Sequence, residues 1–347
     1  MILLVGDLHF KNLLNYSYLF DDNREKEREE ILNKIISLVK EYKIKDVVLL
    51  GDQLNSKNSI SSVLTKFVSF LRDISNNGAT IHIIAGNHEK GFNTSALDFL
   101  KEIEDSNNWH IYLKPTLTTI QNKKVLMFPH MFARELDAES SDEWSKKLNE
   151  IIEQHGEVDF LFHHHAFQGV GIPDGVEGFF DVDTVVKHAK LTVGGHVHTK
   201  YILNNNILGA GSIFTLRVNE KEKSVFMLDP EKEPLVNNLL EVKLPVTPIY
   251  KFTDDDYAEL NNIDQNSIVK VVINDKENLA DVKKLLLNFK HAELVELPME
   301  SSLHNDDDID VFLLNNIDDA IKYWSKENNV SEKRLNNVLK IFHELTK

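Results

Sequence analysis

The amino-acid sequence predicts an α/β (α+β) fold: two β-sheets packed face to face with helices outside, then a small α+β unit and terminal helices. Three observations carry that expectation. Through residues 1–90, apolar runs of strand length alternate with apolar stripes at helical spacing. Three of those runs lead into Gly-Asp, Gly-Asp and Gly-Asn-His, so ionisable residues recur at the carboxyl ends of strands, where open α/β sheets build their sites. From about residue 109 the pattern becomes strand-rich, which adds a second sheet to the first.

The elements follow in order. Residues 2–5 form a first strand; the run is apolar but is followed at once by Gly6 and Asp7, without the basic flank or the small-residue cleavage site of a signal peptide. Ile31, Ile35, Ile36 and Val39 mark one face of a helix, and residues 47–50 a second strand. Val63, Leu64, Phe67, Phe70 and Leu71 mark the next helix, and residues 81–84 a third strand. Ile120 and residues 125–128 then flank the tetrapeptide 121–124 as a hairpin. Further strands are expected at 160–162, 191–193, 201–203, 207–208 and 224–228, with a turn at 204–206 and helices over 143–154 and 182–188.

The texture changes between Pro245 and Pro248, which places a domain boundary there, with residues 1–244 as the first domain. Residues 245–300 read as a separate α+β unit, with strands at 249–252, 268–273 and 293–297 and a helix over 278–289. Residues 301–347 hold an acidic run (Asp306, Asp307, Asp308, Asp310) and then two amphipathic stripes, from Ile317 to Trp324 and from Leu335 to Leu345.

Composition narrows the function. Of 347 residues, 55 are acidic and 39 basic, for a net charge of −16, and none is cysteine. A disulfide framework, a thiolate zinc site and a cysteine nucleophile are therefore excluded. No apolar run reaches the ~18 residues of a membrane helix, so a soluble cytoplasmic protein is expected, with no membrane partner. The acidic balance argues against coating nucleic acid by bulk charge, but bound metal ions can reverse the sign locally.

Seven of the fifteen histidines lie at predicted strand ends. The pieces are Gly6-Asp7-Leu-His9, Gly51-Asp52, Gly86-Asn87-His88-Glu89, His163-His164-His165 and Gly194-Gly195-His196-Val-His198. Carboxylate, imidazole and amide oxygen suit divalent ions such as manganese, iron or zinc. Residues i and i+2 of an extended segment point the same way, so Asp7 with His9, and His196 with His198, can each grip one side of a site. Two ions ~3.5–4 Å apart, bridged by a carboxylate, can clamp the attacking and leaving oxygens of a phosphoryl group, and the site reads as a two-metal phosphoesterase.

This ordered set of motifs resembles the calcineurin-like metallophosphoesterase superfamily over residues 1 to about 230. The resemblance implies a four-layer sandwich, with Asp7, His9, Asp52 and His198 around one metal and Asp52 bridging to a second, held by Asn87, one histidine of the triple run and His196. Within the run it favours His164, five before Gly169, whereas counting from the strand end favours His163; His164 is taken as the ligand. His88 is implied beside the scissile phosphate, as proton donor or charge stabiliser. The stretch from Ile207 to Ser212, leading into residues 224–229, is similar to the SbcD/Mre-eleven-type DNA repair nucleases of phage or bacterial type.

That closer likeness implies a manganese-dependent nuclease, with magnesium, iron or zinc as other candidate metals. It further implies single-strand endonuclease and 3′→5′ exonuclease activity in double-strand break processing, replication, recombination and repair. Implied partners are DNA and an SbcC/Rad-fifty-like coiled-coil ATPase, with a homodimer inside a heterotetramer; residues 245–300 would cap the DNA and the terminal helices would dock on the ATPase. Two positions depart from the pattern. Glu89 stands where relatives usually carry Asp, and is expected to orient His88 from behind the ligands. Asn55 stands where they often carry His or Asp, which puts a DNA-placing role there in doubt. The alternatives are a stand-alone phosphodiesterase or phosphatase with the same metals, or a metal-free scaffold.

Overall fold

The computed structural model describes residues 1–91, 94–103, 108–172, 176–274 and 277–296; the two expected C-terminal helices lie outside the described residues. The chain opens as β1 (Ile2–Val5), α1 (Glu25–Glu41), β2 (Asp46–Leu49), α2 (Ser61–Asn76) and β3 (Thr80–Ile84). It continues with β4 (Trp109–Tyr112), β5 (Thr116–Ile120), β6 (Lys123–Phe128), α3 (Ser141–His155), β7 (Val158–His163), α4 (Val182–His188) and β8 (Ala189–Gly194). Then follow β9 (Tyr201–Leu203), β10 (Ile207–Gly209), β11 (Ser224–Leu228), β12 (Leu240–Lys243), β13 (Ile249–Phe252), β14 (Ile268–Ile273), α5 (Leu279–Leu286) and β15 (His291–Glu296).

These strands make two six-stranded sheets, in the orders β12-β11-β1-β2-β3-β4 and β5-β6-β7-β8-β10-β9, and one three-stranded sheet, β13-β14-β15. The period-2 alternation of the strands sorts their side chains between layers. Ile2, Leu4, Val48 and Ile84 of the first sheet meet Val125, Met127, Phe160, Phe162 and Val193 of the second in a shared apolar layer. The residues between them face outward: Leu3, Val5, Val47 and Ile81 pack on Ile31, Ile35 and Phe67 of α1 and α2. On the far side, Leu126, Phe128 and Leu161 pack on Trp144, Leu148 and Ile152 of α3. The result is the helix-sheet-sheet-helix order expected from sequence, with full burial of each large side chain contributing ~1.5–3 kcal/mol.

The two central runs, β1-β2-β3-β4 and β6-β7-β8, are parallel, so their carboxyl ends face one edge of the sandwich. The expected hairpin is tighter than its sequence suggested. Lys123 and Lys124 extend β6, leaving Gln121 and Asn122 as a two-residue turn with φ of 46° and 63°, the backbone that matches strand twist. The parallel third sheet packs with α5 around Phe252, Val269, Val271 and Val282. It touches the larger body where His291 stacks on Phe20 at 3.6 Å between ring centroids and its Nδ1 lies 3.0 Å from the Leu19 carbonyl.

Candidate metal centre

Every predicted ligand follows the carboxyl end of a strand in one of the two central parallel runs. Asp7 and His9 follow β1, Asp52 follows β2, Asn87 and His88 follow β3, His164 follows β7, and His196 and His198 follow β8. The chain reaches these positions through strained turns: φ is 43° at His9, 48° at Asp52 and 80° at His196. Left-handed backbone at a residue with a side chain costs on the order of 1–3 kcal/mol, and it clusters where function over-determines the geometry. Backbone bonds hold the turns, His9 N–H donating to the Asp52 carbonyl and Phe10 N–H to that of Gln53, each at 2.8 Å. Gly51 and Gly86 are among the glycines that close approach requires. A methyl group on Gly51, whose φ is 107°, would overlap the His164 ring, and one on Gly86 would overlap the Asp52 carboxylate.

The side chains converge in two adjoining groups. In the first, His9 Nε2 and His198 Nε2 stand 2.9 Å apart, and each lies 3.9 Å from Asp7 Oδ2. In the second, His164 Nε2 lies 3.2 Å from Asp52 Oδ2 and 3.3 Å from Asn87 Oδ1, with His196 alongside. Asp52 Oδ2 is also 3.8 Å from His9 Nε2, so one carboxylate oxygen faces both groups. Bonds of ~2.0–2.2 Å to a divalent ion set neighbouring ligand atoms about 3–4 Å apart, the size of these edges. The donors are oxygen and imidazole throughout, and the buried Nδ1 of His196, beside Asp52 and His164, lacks a hydrogen-bond partner. This arrangement fits two divalent ions bridged by Asp52.

Electrostatics point the same way. Burial pushes the Asp7 carboxyl up and the His9 imidazole well below its usual range. Burial also works against a charged Asp52, yet the imidazoles of His164, His9 and His88 hold its carboxyl well below the usual range. At His164 burial opposes the charged form, but the carboxylates of Asp52 and Asp7 prevail and lift its pKa to about 10. The ion-free cluster thus keeps a proton on His164 where a cation belongs.

The neighbours supply orientation. His164 Nδ1 faces the Leu50 carbonyl at 2.7 Å, which leaves Nε2 to the site. His88 Nδ1 faces the Asn55 carbonyl at 2.8 Å; a carbonyl only accepts, so Nδ1 carries the proton and Nε2 points to the site, 3.8 Å from Asp52 Oδ2. The His88 side chain is 38% exposed, whereas those of His9 and His164 are buried. The Gly-Ser turn after β10 braces the first group from below. Ile213 N–H donates to the Asp7 carbonyl, and Lys223 Nζ donates to both the His198 carbonyl and Ser212 Oγ.

The two positions that depart from the pattern, Glu89 and Asn55, lie behind the ligands. Glu89 does not touch His88: its carboxylate accepts from the Leu54 and Gly86 N–H groups at 2.8 Å each, and burial beside Asp52 pushes its pKa to about 8. Asn55 contributes its backbone carbonyl to the site, a role that does not depend on its side chain. By clamping Leu54, Glu89 shapes the loop that presents this carbonyl, so it acts on His88 at one remove. Of the triple run, geometry brings His164 into the cluster. His163 packs against Phe167 and Phe180, and His165 Nε2 accepts from Met131 N–H while its ring stacks on His130. Sequence reasoning missed Glu177 and Glu220. Glu177 faces His196 Nε2, and Glu220 lies 3.6 Å from His198 Nδ1, beyond hydrogen-bond reach.

A two-sheet sandwich with this cluster at its edge defines a metallophosphoesterase. The chain belongs to the calcineurin-like phosphoesterase family, whose model matches residues 1–200, and so to a class of metal-dependent phosphoester hydrolases. Among solved structures it is similar to GAP50, the anchor in the inner membrane complex of Plasmodium: identity is 12%, with 87% of this chain and 98% of that one covered, at a TM-score of 0.37. A protein of unknown function from Aquifex aeolicus is 18% identical, with 49% of this chain and 81% of that one covered, at a TM-score of 0.26. Likeness at this level carries no argument about activity. No curated protein matches the chain. No helix among the described residues is long and apolar enough to cross a membrane.

Proposed function

We propose that the protein is a manganese-dependent DNA nuclease, the nuclease subunit of an SbcCD-like complex acting in the cytoplasm on DNA ends and breaks. The observation that carries this reading beyond phosphoester hydrolysis is the third sheet, docked through His291 on the loop that leads out of the Asp7–His9 turn. A small-molecule phosphatase does not require such a unit. On this reading residues 1–244 cleave, 245–300 cap the DNA, 301–347 dock on a coiled-coil ATPase, and two copies pair within a heterotetramer.

The chain's own groups have defined tasks. Asp7, His9 and His198 on one side, and Asn87, His164 and His196 on the other, would hold two ions with Asp52 between the groups; when bound, the ions would supply the positive charge that binds and polarises a phosphodiester. His88, with Nδ1–H held by the Asn55 carbonyl, would present Nε2 to the phosphate, where the doubly protonated ring would give the Nε2 proton to the leaving 3′-oxygen or offset the charge that develops. The buried floor of Asp7 and Asp52 keeps these positions rigid while the exposed His88 edge admits substrate.

The net charge of −16 favours the second reading, a stand-alone phosphodiesterase or phosphatase acting on a small or protein substrate. One experiment separates the two. The chelator-stripped chain is reloaded with manganese, magnesium, iron or zinc and offered circular single-stranded DNA, end-labelled duplex DNA, a chromogenic phosphodiester and a phosphopeptide, with and without a co-expressed coiled-coil ATPase and ATP. Manganese-dependent DNA cleavage is the expected result. Turnover of the small diester or phosphopeptide with intact DNA under every metal overturns the nuclease reading and leaves the phosphoesterase class standing.

A further inference from the structure

We infer that Glu177 is a positioning residue of the second metal group: it fixes the tautomer of His196 so that Nδ1 is the atom offered to the ion. The inference rests on the metal-binding reading alone, not on DNA as the substrate.

His196 is constrained from three directions. Its backbone sits at φ 80°, and its N–H donates to both oxygens of Asp7, at 3.0 and 3.1 Å. Its Nε2 lies 3.0 Å from each Glu177 carboxylate oxygen. Its Nδ1 is buried without a hydrogen-bond partner, in a ring that groups with Asp52 and His164. An ionised carboxylate can only accept, so Nε2 carries the proton and the lone pair of the neutral ring is left on Nδ1. A metal ligand needs that lone pair, and a carboxylate behind an imidazole both orients the ring and raises its basicity.

The contact is a built one. The Glu177 and His196 side chains are 10% and 8% exposed, and burying a carboxylate is costly unless it is paired. Glu177 is carried by the segment between β7 and α4, which is pinned by the bridge between Phe167 and Phe180 and by the Phe180 N–H donating to the Ala166 carbonyl. His164 and His88 are each held by a backbone carbonyl, Leu50 and Asn55 respectively. His196 faces a full negative charge instead, which adds attraction for a cation at the second group.

The test titrates the full chain, stripped by chelator, with manganese, following stoichiometry by calorimetry and the metal pair by electron paramagnetic resonance. The wild type is expected to take two ions and give a spin-coupled signal. Glu177→Ala is expected to keep the ion of Asp7, His9 and His198 at wild-type affinity and to bind the other ~10–100-fold more weakly, leaving a mononuclear signal when one site is filled. Glu177→Gln, whose amide oxygen still accepts from Nε2–H, recovers most of that loss, and supplies the comparison if the alanine variant does not fold. Unchanged second-ion affinity in both variants overturns the role of Glu177, as does equal weakening of both ions, which marks a merely structural effect. A wild-type chain that takes up no second ion overturns the underlying two-metal reading, and this inference with it.

Discussion

Among the residues around the site, His88 combines a fixed ring with an exposed edge, and its side chain faces Asp52 across 3.8 Å without being one of the groups assigned to hold either ion. His88→Ala is therefore expected to keep both ions and to lower turnover by roughly 10²–10⁴-fold, the usual contribution of a positioned acid or base. Manganese titration alongside steady-state hydrolysis checks this, and full activity in the variant sinks the assignment. His164 gives a second prediction through its proton. The two aspartates outweigh burial and raise its pKa from 6.5 to about 10, so in the ion-free chain it contributes stability that is complete below pH 6.5 and is lost as pH climbs through 10. An ion must displace that proton, so near pH 7 loading should release about one proton from this ring and tighten as pH rises. Calorimetry in buffers of different ionisation enthalpy measures the release; uptake with no proton released contradicts the charged ring. The candidate ligands were legible because each follows an apolar run at a spacing that sends i and i+2 the same way. The triple histidine was ambiguous because both His163 and His164 lie within one residue of the strand end, and only three-dimensional packing separates them. Glu177 and the Asn55 carbonyl carried no signal at all, since one sits in an irregular loop and the other is a backbone atom that any residue would provide.

For the secondary-structure elements, the central strands and the three long helices were readable because burial imposes their period. β4 and β12 were not. Both are sheet-edge strands, and β12 (Leu-Glu-Val-Lys) has three exposed positions and one half-buried, so its pairing with β11 defines it rather than an apolar face. Helix ends are the other place where local chemistry and fold diverge. α2 begins after Ile60, whose backbone has the extended conformation of a cap (φ −71°, ψ 157°) but whose side chain accepts nothing. At 54% exposed, Ile60 gives up little burial if replaced. Ile60→Asp adds an acceptor for the first free N–H groups and a negative charge at the positive end of the helix, and is expected to stabilise the protein by about 0.5–2 kcal/mol. Chemical denaturation decides it: an unchanged or lower midpoint at constant slope contradicts the capping argument.

For the whole molecule, the net charge of −16 and the proposed substrate are opposed at long range but not at contact. Repulsion between exposed acidic groups and a phosphate backbone is screened beyond about 8–10 Å at physiological salt. Attraction at the site acts at contact, and it would come from the bound ions, because the side chains that meet there are the carboxylates of Asp7 and Asp52 and a set of imidazoles, with Glu89 and Glu177 behind them. On the nuclease reading the site without its ions therefore presents carboxylates to DNA, and the 55 acidic residues outweigh the 39 basic ones over the chain. Its affinity should lie no tighter than the ~10⁻⁴–10⁻⁶ M typical of non-specific binding, should fall further as salt rises, and should vanish when the ions are chelated. The coiled-coil ATPase would then supply the firm grip, which makes tight binding a property of the assembly. Fluorescence anisotropy of labelled duplex DNA, with manganese and with chelator across a salt series, measures each part of this. Nanomolar binding by the isolated, metal-free chain at physiological salt would place the DNA contacts elsewhere on the surface, and would remove the reason to expect an ATPase partner to carry the affinity.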